Sequence, residues 1–159
     1  MIGYNIHLEK LSKTLQLGEL IYEPQELFGG LMHKMLTMQT TTGKYAVKAL
    51  NPAVMARPEA LQNIINSEKI ACIVSENINA VPAKIYNDKA LQEIDGQYYL
   101  VFDWCDGKNI FSDDINTFHC EKIAQILVEV HKTDFSKLGL ADSYSADEPI
   151  PDWNSCYSC

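Results

Sequence analysis

Positive charge is in short supply along this chain. Its 159 residues carry 13 Lys and Arg against 21 Asp and Glu, a net charge of -8. The basic footprint of a nucleic-acid binder is therefore missing. The acidic balance tolerates a cationic small substrate, but it is also the commonest route to solubility. Apolar runs of membrane-spanning length are absent from the sequence. Met1-Ile2-Gly3-Tyr4-Asn5 has no basic segment leading into an apolar one, so no secretory signal is expected. The five cysteines are odd in number and irregular in spacing, which argues against a disulfide framework and for a reducing, cytoplasmic setting. Cys72, Cys105 and Cys120 read as small buried hydrophobes. Cys156 and Cys159 form a lone C-x-x-C with no second pair and no histidine nearby, so no metal site is expected. Internal repeats and low-complexity tracts are also lacking.

What is present is ordinary globular material, 47% apolar and 21% charged, enough for one domain or for a lobe of something larger. Leu8, Leu11 and Leu15 share a helical face, with Asn5 as a candidate N-cap and Gly18 as the stop. Glu19 to Phe28 reads as extended around Pro24, and Gly29-Gly30 breaks it. Met32, Lys34, Leu36 and Met38 alternate, as do Tyr45, Val47 and Ala49, with a turn at Thr41-Thr42-Gly43 between. Pro58 and Glu59 suit a helix start. Leu61, Ile64, Ile65, Ala71, Cys72 and Ser75 form a stripe along that helix. Lys89–Ile94 and Gln97–Trp104 predict two strands joined by an Asp95-Gly96 hairpin. Ser112-Asp113-Asp114 supply caps for a helix reaching Lys132, with Phe118, Ile123, Ile126, Leu127 and Val130 on its apolar face.

Two charges break this pattern. Strand alternation puts Lys48 on one face with Ala46 and Leu50. A cation there must reach water, find an anion or lose its proton. By itself the lysine fits an exposed edge strand. Glu68 falls inside the apolar stripe of the following helix, or at its margin with access to water. An acid on a core-facing stripe, soon after a strand with a core-facing cation, is the combination that points to chemistry.

The order of these pieces resembles the smaller lobe of the kinase-like phosphotransferases, above all the aminoglycoside phosphotransferase and choline kinase branch. The stretches that carry the resemblance are Phe28-Gly29-Gly30-Leu31-Met32-His33-Lys34-Met35, Gly43-Lys44-Tyr45-Ala46-Val47-Lys48-Ala49-Leu50 and Glu68 within its helix. To these are added Leu100-Val101-Phe102-Asp103-Trp104-Cys105-Asp106-Gly107 and Ile126-Leu127-Val128-Glu129-Val130-His131. The resemblance covers about Leu20 to Lys132. It implies an α+β fold: a five-stranded antiparallel sheet with one packed helix, an N-terminal helix, and helical structure after the hinge. It divides the chain into a helical extension (1–18), the lobe (19–104), a hinge and first helix of a second lobe (105–134) and an irregular tail (135–159).

The resemblance also implies roles. Lys48 contacts the α- and β-phosphates of ATP, and Glu68 pairs with Lys48 to hold it. Gly29 and Gly30 cover the phosphates, although the pattern is not G-x-G-x-x-G and two glycines also make an ordinary hairpin turn. Phe102 lines the back of the adenine pocket. The Asp103 carbonyl and the Cys105 N–H meet the adenine edge, while a chain simply leaving a sheet fits the same residues.

The family's catalytic motif, His-Gly-Asp with an asparagine soon after, is not found beyond His131, and Asp142, Asp147 and Asp152 lack flanking strand patterns. No catalytic residue and no metal ligand is assigned, and magnesium is expected only with a further lobe. Three readings stand. The chain is the N-terminal part of an ATP-dependent small-molecule kinase, inactive alone. Or it is a non-catalytic binding module that reuses the lobe, self-associating or partnered through its exposed apolar helix. Or it is an unrelated α+β domain. Nucleic acid and membrane are not expected partners.

Overall fold

The computed structural model describes residues 3–27, 32–108 and 110–139. The expected tail beyond Gly139, with Cys156, Cys159 and its aspartates, lies outside them, as do Phe28, Gly29 and Gly30. The architecture is α+β. Five strands, β1 (Glu26–Leu27), β2 (Lys34–Thr40), β3 (Gly43–Ala49), β4 (Gln92–Ile94) and β5 (Gln97–Asp103), form one sheet in the order β1-β2-β3-β5-β4. Every neighbouring pair is antiparallel. The helices are α1 (Leu8–Thr14), α2 (Pro52–Met55), α3 (Ala60–Val74) and α4 (Thr117–Lys132).

Turn chemistry sets the register. Asp95 and Gly96 have φ of 49° and 79°. Positive φ at both central residues is the two-residue turn whose twist matches the flanking strands. Thr41 and Thr42 make the turn between β2 and β3. Pairing in that hairpin puts Met35 opposite Lys48, Leu36 opposite Val47 and Met38 opposite Tyr45.

The larger core lies on the face carrying Tyr45, Val47 and Ala49. It gathers Leu36 and Met38 from β2, Tyr99 and Val101 from β5, and Leu8, Leu11, Leu15 and Leu17 from α1 and its exit. Helix α1 is thus a structural half of the core. Polar contacts hold it there. The His7 N–H donates to the Tyr99 hydroxyl at 2.9 Å, and that hydroxyl donates to the Asn5 carbonyl at 3.2 Å. Asn5 is not the N-cap. His7 takes that position with no side-chain cap bond, and the Asn5 side chain is drawn instead to the Asp95 carbonyl. Gly18 ends the helix segment at φ +84°, where a Cβ would sit 2.1 Å from the Thr41 hydroxyl oxygen.

The opposite face is thinner. Its buried residues are Leu50, Ala83 and Leu100, with Ile64, Met55, Tyr98 and Phe102 packed against them. Helix α3 buries only Ala60 and Val74, so its stripe is half-open rather than sealed.

Several elements start elsewhere than the sequence pattern predicts. The first helical turn after β3 opens at Pro52 with Asn51 as its cap, and Pro58 falls in the turn before α3. Ser112–Asp114 is a 3-10 turn, and Asn116 caps α4 in a reciprocal bond with His119. The extended segment before Gly29 pairs regularly only at Glu26–Leu27, with one further bridge from Leu20 to Thr40. Cys72, Cys105 and Cys120 are exposed, not buried.

Truncating Leu11, fully buried under α1, to alanine is expected to cost about 2–5 kcal/mol. Truncating Ile123 on α4, which is 58% exposed, should stay within about 0.5 kcal/mol. Urea unfolding of the two variants checks both. Equal losses would mean that α1 is not part of the core.

Candidate functional site

Strand β3 lies inside the sheet, and Lys48 lies inside β3. The side chain is half-buried on the thinner face. Its strand neighbours across the ladder are Met35 on one side and Leu100 on the other. Phe102, half-buried and paired with Ala46, sits diagonally beside it. The Lys48 ammonium lies 5.5 Å from the Phe102 ring centroid, within the range where a ring face attracts a cation. The edge-strand alternative is thereby excluded for Lys48, since β2 and β5 flank β3.

His33, just before β2, belongs to the same neighbourhood. Its Nδ1 accepts from the Asn51 N–H at 3.0 Å. Accepting requires a neutral ring, with the proton on Nε2. Burial, and then the positive charge of Lys48, push the His33 pKa below 6.5.

Glu68 is half-buried on the stripe of α3, as expected, but it does not hold Lys48. The ion pairs among the described residues are Lys10–Asp95, Lys34–Glu26, Lys84–Asp103 and Lys132–Glu129. The Glu68 carboxylate instead accepts from the Ala83 N–H at 3.1 Å. The physical reason is the path of the chain before β4. The Lys84 N–H donates to the Val101 carbonyl at 2.7 Å, which carries residues 83–84 alongside β5. That leaves the adjacent Ala83 amide within reach of α3, and a carboxylate satisfies such a donor well.

The exit from β5 is held by side chains. Asp103, the last residue of the strand, pairs with Lys84 at 2.6 Å. The Lys44 ammonium stands 3.5 Å above the Trp104 ring, and the Trp104 indole N–H donates to Asp106 at 2.9 Å. Cys105 is exposed, and its main-chain N–H makes no hydrogen bond among the described residues.

Lys48 and Phe102 therefore come together, and Asp103 and Cys105 follow at the end of the same strand. Glu68 bonds the Ala83 amide instead, and Gly29 and Gly30 lie outside the described residues. His33 and Lys84 join the neighbourhood without having stood out in the sequence. No periodicity marks either one, and only the register of β2 and the path of residues 82–85 bring them in. A cleft of about 730 Å³ adjoins Glu68, between α3 and residues 83–93, but neither Lys48 nor Phe102 lines it. Among the described residues no cluster of three or more His, Cys, Asp or Glu is placed to hold a metal. No helix there is long and apolar enough to cross a membrane.

No protein-family profile matches the chain, and no curated protein sequence matches it. Among solved structures, the chain is similar to the kinase domain of PknI from Mycobacterium tuberculosis. The identity is 18% over 72% of this chain and 48% of that one, with a TM-score of 0.46. The chain thus spans about half the length of that domain.

The His33 contact predicts a pH dependence. Its folded pKa lies below 6.5, so the unfolded chain takes up the proton first as pH falls. The stability it contributes is complete above about 6.5 and is lost as pH drops through the window down to the folded pKa. Below that window the slope from His33 vanishes. His33→Gln keeps an acceptor for the Asn51 amide but no titration, so it should flatten this part of the profile in urea unfolding. An unchanged slope in the variant would remove His33 as its source.

Proposed function

We propose that this chain forms the nucleotide-binding small lobe of an ATP-dependent phosphotransferase with a kinase-like fold, of the aminoglycoside phosphotransferase and choline kinase type. The observation that carries the reading is Lys48. Its side chain is half-buried on an inner strand between Met35 and Leu100, beside the Phe102 ring, and among the described residues no carboxylate pairs with its ammonium within 4.0 Å. A partly buried cation that lacks a counter-ion among the described residues is costly, and a triphosphate supplies one.

In this reading Lys48 binds the α- and β-phosphates and Phe102 backs the adenine. The Asp103 carbonyl and the Cys105 N–H, which has no hydrogen bond among the described residues, take the adenine edge. Gly29 and Gly30, between β1 and β2 in the sequence, cover the phosphates. Glu68 supports Lys48 only after releasing the Ala83 amide. Magnesium and the catalytic aspartate belong to a further lobe, so residues 1–159 alone transfer no phosphate. The acceptor is a hydroxyl of an aminoglycoside- or choline-like molecule, and the setting is cytoplasmic.

A second reading has its own support. No residue of α4 is buried, and Phe118, Ile123 and Leu127 are 61%, 58% and 51% exposed. An apolar helix face of this kind is commonly covered by further protein. A non-catalytic interaction module, joined to a second copy or another partner through α4, would use it so.

Nucleotide titration separates the two. By calorimetry the chain is expected to bind ATP weakly, and Lys48→Ala should weaken that binding about tenfold or more, the worth of a charge-assisted hydrogen bond. Binding that ignores Lys48→Ala would favour the module. Turnover of aminoglycosides or choline with magnesium and ATP near the ~1–100 s⁻¹ of working kinases would overturn the inactive-alone claim.

A further inference from the structure

The cleft beside Glu68 is not part of the nucleotide reading. One wall is the stripe of α3, with Leu61, Ile65 and Cys72, and the other is residues 83–93, with Ile85 and Leu91. Both walls expose apolar side chains, with Leu61 41% exposed, Ile85 60% exposed and Cys72 exposed, while Lys69, Asp88, Lys89 and Glu93 add charge to the lining. At about 730 Å³ the cleft falls within the range that holds a bound ligand or a short segment of chain. The cleft leaves the apolar stripe of α3 open along this side, and the helix buries only Ala60 and Val74.

One side chain from far along the chain already lines this cleft. Leu138, in the short 3-10 turn Ser136–Leu138 that follows α4, is half-buried there. The described chain leaves at Gly139, one residue beyond it. Twenty residues follow, and the first five include Leu140, Ala141 and Tyr144. The sequence thus delivers further apolar side chains directly after the one that touches the cleft.

We propose that the cleft between α3 and residues 83–93 is a docking groove for this chain's own segment 140–144, entered through Leu138. Leu140 and Tyr144 are its anchors, and they cover Ile65 and Cys72. The groove then ties the region after α4 back to α3, the helix that carries Glu68. Its occupant bears on where α3 sits, whether or not Lys48 binds a nucleotide.

Alkylation of the native full-length chain, followed by peptide mass spectrometry, reads this directly. Cys120, exposed on α4, is the internal reference. Cys72 is expected to react about tenfold or more slowly than Cys120, the sign of local protection. The double substitution Leu140→Asp and Tyr144→Asp should bring the Cys72 rate up to that of Cys120. Leu140→Asn alone gives the same test in a milder form. Three results would each overturn the proposal. Cys72 reacts as fast as Cys120 in the native chain; or it is protected but indifferent to residues 140 and 144; or its protection grows with protein concentration, which assigns the groove to a second copy.

Discussion

The two-residue period of one strand governs the rest of this molecule. Tyr45, Val47 and Ala49 turn to one side of β3 and meet α1, β2 and β5 in the larger core. Ala46 and Lys48 must then turn to the other side. Neither face is free to slip, because a shift of one residue would drive Lys48 into that core and expel Val47. The Thr41-Thr42 turn fixes the register of β3 against β2, and the antiparallel ladder to β5 pairs it on the other side. The position of the Lys48 ammonium is therefore a consequence of burying its neighbours, and it is as firmly fixed as the core is.

Glu68 is governed differently. Nothing like a strand ladder holds α3, whose buried residues are Ala60 and Val74 near its two ends. Its carboxylate goes to the nearest strong donor, the Ala83 amide, at 3.1 Å. Exchanging that partner for Lys48 trades a hydrogen bond from a neutral donor for an ion pair, and the gain in charge attraction is offset by desolvation of both groups. With thin packing under it and the half-open cleft beside it, α3 is held by fewer buried contacts than the sheet with α1.

The parts of this structure that were legible in the sequence are those that local rules determine. Alternation in Leu36–Met38, Tyr45–Ala49 and Tyr98–Phe102 identifies the strands, and Asp95-Gly96 identifies its turn. The stripe Leu8–Leu11–Leu15 identifies α1 as amphipathic. Sequence spacing does not say which sheet face it covers, because that choice is made by contacts such as His7 with Tyr99, 92 residues away. The cysteines show the same limit. Cys72 and Cys120 have small apolar side chains on amphipathic helices, yet their burial depends on whether another element packs there. In the site, Lys48 and Phe102 follow from alternation and meet. Glu68 depends on the path of residues 78–85, which has no period to read, and there the expected ion pair gives way to the Ala83 bond.

In the nucleotide reading, the ammonium of half-buried Lys48 is an anion site on an otherwise apolar face. The most direct test follows backbone and Lys48 side-chain NMR shifts while ATP is titrated into the chain. The largest changes are expected to cluster at Lys48, Ala46, Phe102 and Cys105, with the Lys48 Nζ resonance moving as phosphate binds. Saturating ATP that leaves Lys48 unmoved, or shifts that gather on another surface, would contradict it.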